Sequence, residues 1–156
     1  MHSELVKVAK KIDHMLSDII SLQQEYVAKI CSTCEDPCCG KVQYLFDEKD
    51  RIFAMVCYGQ DMFRKKVKGR DGCSFLTPKG CRLQLKERPF MCHRYLCARL
   101  KDEMYAQNPE VLQILDEKFR IIDDLRGHLW RLYLETLRPS VNSRNRNVDS
   151  FFQSGS

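Results

Sequence analysis

All nine cysteines of this 156-residue chain fall between Cys31 and Cys97. Four sit in CSTCEDPCCG, as Cys31, Cys34, Cys38 and Cys39. Four more sit in GCSFLTPKGCRLQLKERPFMCHRYLC, as Cys73, Cys81, Cys92 and Cys97. Cys57 stands alone between the blocks. A deprotonated thiol is a soft ligand suited to zinc and to iron–sulfur clusters. Four thiolates complete a tetrahedral zinc site or a four-iron cluster. The eight grouped cysteines therefore suffice for two such sites, or for one site with supporting or exchangeable thiols. The expected metal ligands are Cys31, Cys34, Cys38, Cys39, Cys73, Cys81, Cys92 and Cys97. Each block looks incomplete alone, which predicts one site closed from both. The adjacent thiols of Cys38 and Cys39 tend to point apart. Cys92 and Cys97 would lie about 140° apart on a straight helix, so a shared site requires that helix to break between them.

Disulfides fit the pattern less well. The cysteine count is odd, and two cysteines are adjacent. The first residues, MHSELVKVAKKIDHML, carry charges throughout and lack the apolar stretch of a secretory signal. No apolar run approaches the roughly 18 residues of a membrane span. The expected location is cytoplasmic, where thiols stay reduced and a cysteine cluster is more often metal-binding or catalytic. A net charge of +5 is too weak to argue for nucleic acid. Neither G-x-G-x-x-G nor a P-loop is present to bind a nucleotide-type cofactor.

The spacing C-x-x-C-x-x-x-C-C is not that of ferredoxins. A zinc ribbon needs two C-x-x-C knuckles, and only Cys31 and Cys34 make one. The combined pattern does resemble the YkgJ-like cysteine-cluster family, whose members are described as zinc- or iron-chelating domains. That family shows C-x-x-C-x-x-C-C, then a glycine-cysteine hairpin, then R-P-x-x-C and a final cysteine. Cys31, Cys34, Cys38 and Cys39 look like its first block, with one extra residue before the pair. Cys73, Gly80-Cys81, Arg88-Pro89-Phe90-Met91-Cys92 and Cys97 look like its second. The resemblance covers about residues 31–97 and implies metal binding by these cysteines. A much longer flagellin lysine methylase with a similar cysteine motif carries an iron–sulfur cluster, so the implied cofactor is an iron–sulfur cluster, of 4Fe-4S type, or zinc.

Other residues draw weaker expectations. Cys57 reads as a small packed side chain. His93 reads as a surface histidine, or else as a ligand or supporting donor beside Cys92. Arg88 has a fork of donors for loop carbonyls or a cluster sulfur. The basic run from Arg64 to Arg70 reads first as a solvated edge, then as charge that favours nearby thiolates, then as a phosphate contact.

These residues need elements to hold them. The expected fold is α+β: two long terminal helices clasping a small cysteine-rich region with short β-hairpins. Residues 1–137 form one domain, with helices over 4–30 and 110–137, and 138–156 form a disordered tail. In the first helix Leu5, Ile12, Ile19 and Tyr26 recur every seven residues, as do Val8, Met15 and Leu22. Ser3 is the expected cap. The partner of this seam is the second helix, whose stripe runs Leu115, Phe119, Ile122, Leu125, Leu129, Leu132 and Thr136; a homodimer through the seam is the other reading. A β-hairpin is expected over 42–46 and 51–57, with Asp47-Glu48-Lys49-Asp50 as its turn. FLTPKGC reads as a turn between extended pieces, and a short helix should start near Pro89. The functional expectation is a thiolate metal centre with redox or methyl-transfer chemistry. Against it stand a zinc-stabilised interaction module without catalysis and a metal carrier.

Overall fold

The computed structural model of this chain describes residues 2–38, 46–59, 73–78 and 80–138. The elements are α1 (His2–Ser32), α2 (Glu48–Tyr58), β1 (Leu76–Thr77), β2 (Gly80–Cys81), α3 (Phe90–Arg94), α4 (Ala98–Gln107) and α5 (Pro109–Leu137). A 3-10 turn, Leu85–Glu87, precedes α3. Among the described residues the fold is thus mostly helical with one small antiparallel sheet. None of its helices is long and apolar enough to cross a membrane. Residues 139–156 of the expected tail 138–156, the run from Arg64 to Arg70 and Cys39 lie outside the described residues.

The two long helices pair as the periodicity predicts, and together they supply most of the core. The buried stripe of α1 is Leu5, Val8, Ala9, Ile12, Leu16, Ile19, Gln23 and Ile30. Met15, Leu22 and Tyr26, expected in the seam, are only half-buried. An uncoiled helix drifts about 20° per heptad against a seven-residue repeat, so the buried face slides from the Val8 row to the Leu16–Gln23 row. Ser3 lies inside the first turn and does not cap it, because the helix already includes His2. On α5, Leu115, Phe119, Ile122 and Leu129 are fully buried. Leu125 and Leu132 are half-buried, and Thr136 is exposed. Arg126 takes the buried position expected of Leu125.

The region expected as the second arm of a hairpin is helix α2, which corrects the strand assignment of residues 51–57. The reason is a cap. The Asp47 carboxylate accepts from Asp50 N at 2.8 Å, and the Asp50 carboxylate accepts from Asp47 N at 3.1 Å. This reciprocal capping box satisfies donors that a helix start leaves unpaired. Gly59 ends the helix at φ +61°, donating its N–H to Met55 O at 3.1 Å. Apolar alternation over five residues could not outweigh these two signals. Residues 42–45 of the expected hairpin lie outside the described residues.

The extended pieces around FLTPKGC do pair. Leu76 faces Cys81 and Thr77 faces Gly80. Gly80 has φ +103°, which an L side chain would resist. The helix after Pro89 breaks where the thiol geometry demanded. α3 ends at Arg94, Tyr95–Cys97 run without helix, and α4 starts with Cys97 as its N-cap. Asn108 then caps α5, its Oδ1 accepting from Glu110 N at 3.2 Å, with Pro109 in the first turn.

Candidate functional site

The C-terminal end of α1 faces the segment 73–100 across a cavity of about 640 Å³. Cys31 and Cys38 of the first block line it, as do Cys73, Cys81, Cys92 and Cys97 of the second. Its apolar wall includes Ile20, Val27, Leu76, Leu96 and Leu100.

Local chemistry explains the placing of each thiol. Cys31 sits in the last turn of α1. Just beyond it the hydroxyls of Ser32 and Thr33 donate to Lys29 O and Ile30 O, taking up carbonyls that the ending helix leaves free. Cys34 N donates to Cys31 O at 3.3 Å, and the chain turns toward Cys38. Cys73 enters the hairpin, its carbonyl accepting from Leu76 N at 3.1 Å. Cys81 ends the hairpin on β2. Cys92 rides on α3, and Cys97 begins α4.

α3 is anchored on three sides. Gln23 Nε2 of α1 donates to His93 O at 3.0 Å. Phe90 N donates to Asp50 Oδ1 at 3.3 Å. The Arg126 guanidinium stacks 4.6 Å from the Phe90 ring centre while donating to Asp50 Oδ1 at 2.5 Å and Asp47 Oδ2 at 2.7 Å. The Arg94 guanidinium lies 5.0 Å from the Phe119 ring centre. The cap of α2 and the charge on α5 thus meet at the first residue of the helix that carries Cys92. Sequence reasoning missed this ion pair. The carboxylates of the run Asp47-Glu48-Lys49-Asp50 were visible, but the basic partner of Asp50 lay 76 residues away within an apolar stripe.

Electrostatics link the two blocks. The Cys31 thiol is pushed up from its ordinary value, first by burial and then by Cys38, Cys97 and Cys34; Arg88 acts in the opposite direction. Cys31 is therefore within interaction range of thiols on both sides of the cavity. Cys34 belongs to this group without lining the cavity. Arg88 lines the cavity and donates to the Leu83 carbonyl at 3.4 Å, the loop contact expected of it.

His93 differs from its expected surface position. It is 4% exposed. Burial pushes its imidazole down to about 4, with Arg88 adding to the shift and a backbone hydrogen bond at Leu85 opposing it. It is neutral at physiological pH. Its Nε2 has no hydrogen-bond partner, alone in this among the buried side-chain nitrogens and oxygens of the described residues. Its adjacency to Cys92 was the one sequence signal that could have placed it here.

Cys57 lies on α2, half-buried against the core and away from the cavity lining. Burial pushes its thiol up to about 11. The eight described cysteines are all thiols. Among the described residues, no three His, Cys, Asp or Glu side chains are gathered tightly enough to chelate an ion as they stand. The donor set nevertheless fits a soft or borderline metal: six thiols, one neutral imidazole nitrogen without a partner, and a guanidinium to offset thiolate charge.

No protein-family model, curated protein or solved structure matches the chain.

Proposed function

We propose that this protein holds an iron–sulfur cluster, or iron or zinc, through thiolates drawn from both cysteine blocks. On this reading the long helices clasp a cysteine-rich metal-binding region. The observation that carries it is that six cysteines from the two blocks line one cavity. Separate structural sites would give each block its own enclosure. The thiols are spread rather than tightly gathered, which suits a centre that closes as it loads, since metal binding to thiolate sites is coupled to folding. The ligands expected to close on it are Cys31, Cys38, Cys73, Cys81, Cys92 and Cys97, with Cys34 and Cys39 next to them in the chain.

The cavity has room for a cluster as well as for a lone ion. A structural zinc is closed by four ligands, whereas about 640 Å³ is the size of a small-molecule pocket. A bound cluster would supply electron transfer. The protein's own contribution is to hold Cys31 where Arg88 offsets part of the upward push of burial on its thiol, and to wall the centre with apolar side chains. Reduced thiols suit a reducing compartment such as the cytosol.

The test is anaerobic purification followed by metal and acid-labile sulfide analysis. Brown protein with iron and sulfide is the expected result. Colourless protein with zinc would move the reading to a zinc-stabilised module. Protein that takes up neither metal when each is supplied in excess under reducing conditions would contradict the proposal.

A further inference from the structure

The orphaned nitrogen on α3 has a more specific meaning, which rests on the reading of the cavity as a metal centre. Native structures leave very few buried polar atoms unpaired, and His93 Nε2 is the one such side-chain atom among the described residues. The atom itself is closed off from solvent. His93 lines the same cavity as the six thiols and as Arg88. Its backbone is pinned by Gln23, another lining residue, whose Nε2 donates to His93 O at 3.0 Å. The ring is also engaged by the Leu85 backbone, which leaves Nε2 as the nitrogen directed at no protein group.

We infer that His93 Nε2 is itself a metal ligand, so that the centre has a mixed thiolate and imidazole donor set. An imidazole nitrogen completes thiolate sites for zinc as Cys₃His, and it replaces thiolates in some iron–sulfur centres. Cys92 and His93 are consecutive, yet both line the cavity. Helical neighbours project about 100° apart, so one short helix end can offer sulfur and nitrogen from two directions. A neutral nitrogen in place of a thiolate leaves the centre one unit less negative.

X-ray absorption on the full chain, at the iron or zinc edge according to the metal it carries, tests this. The wild type should show a nitrogen scatterer at about 2.0–2.1 Å beside the sulfurs at about 2.3 Å. His93→Asn keeps a polar group at the inner ring position and has nothing at Nε2. It should lose that scatterer. Its affinity for added zinc, measured by chelator competition, should fall by more than the about 10–100-fold that loss of an outer partner costs. His93→Cys should bind metal with one more sulfur and no nitrogen, which keeps the test open if the Asn variant fails to fold. Metal bound by sulfur alone in the wild type would overturn the inference while leaving the thiolate centre standing. A wild type that binds neither metal would overturn both.

Discussion

Cys57 and Tyr58 are neighbours on α2 that the fold keeps neutral. Burial is the first cause for both. Tyr58 is pushed up further by its hydrogen bond, Oη donating to Asp13 Oδ1 at 2.6 Å, and by the Asp13 charge. Cys57 is pushed up to about 11. In the unfolded chain a thiol ionises near about 8.5 and a phenol near about 10. Raising the pH through that interval removes protons from the unfolded chain first, so it favours unfolding. Stability is fully present below about pH 8.5 and is lost as the pH rises toward 11. The thermal midpoint of metal-free protein should fall over this range. Cys57→Ala should flatten the lower part of the fall and Tyr58→Phe the upper part; identical profiles in all three proteins would refute the assignment. Cys57→Ala should also keep the full metal content, because Cys57 lies off the cavity. At this scale the grouping of the cysteines was legible in the sequence, and six of them, from both blocks, line one cavity. The burial of His93 was not, because it depends on Gln23 and on the 3-10 turn at Leu85, both remote from it in pattern.

The ion pair at α2 decides how firmly α3 is held. Arg126 is 5% exposed and Asp50 is 7% exposed. Burial pushes the Asp50 carboxyl up from its ordinary value, and Arg126 pulls it back down. Removing one partner of a buried pair leaves an uncompensated charge and costs about 3–5 kcal/mol. Arg126→Ala should therefore lower unfolding stability by that much in urea. Asp47→Ala removes a cap and one exposed carboxylate, and should cost about 0.5–2 kcal/mol. A double change, Arg126→Met with Asp50→Leu, should recover much of the Arg126→Ala loss, since apolar replacement of a buried pair is often nearly neutral. Equal losses for all three variants would contradict this ordering. The same residues show where the sequence misled. Ile52, Ala54 and Val56 alternate as a strand would, but Asp47 and Asp50 cap a helix across that alternation. The long helices were legible because their apolar period persists over some eight turns of α1. An element of 11 residues, α2, carries too few periods to decide by alternation alone.

At the scale of the molecule, α1 and α5 form a scaffold whose core does not depend on the thiols. Leu115, Phe119, Ile122 and Leu129 are fully buried on α5, which carries no cysteine, although Phe119 also meets Phe90 of the Cys92-bearing α3 at 6.2 Å between ring centres. Among the described residues, the stretches 33–38 and 73–81 carry no regular element longer than the two-residue strands β1 and β2. Metal should therefore add stability chiefly to those segments. A chelator should lower the thermal midpoint of loaded protein and raise amide exchange at 31–38 and 73–97, while the α1 and α5 core stays protected. Uniform exchange changes across the chain would count against this division.

The central claim is that one centre draws on both blocks, and the most direct test compares Cys31→Ser with Cys97→Ser. The two thiols come from different blocks and line the same cavity. Metal per chain and the absorption spectrum should be measured on both variants, purified without oxygen. A shared centre predicts that each substitution removes the same signal almost completely. Two variants that each retain about half the metal, with complementary spectra, would show independent sites and contradict the account.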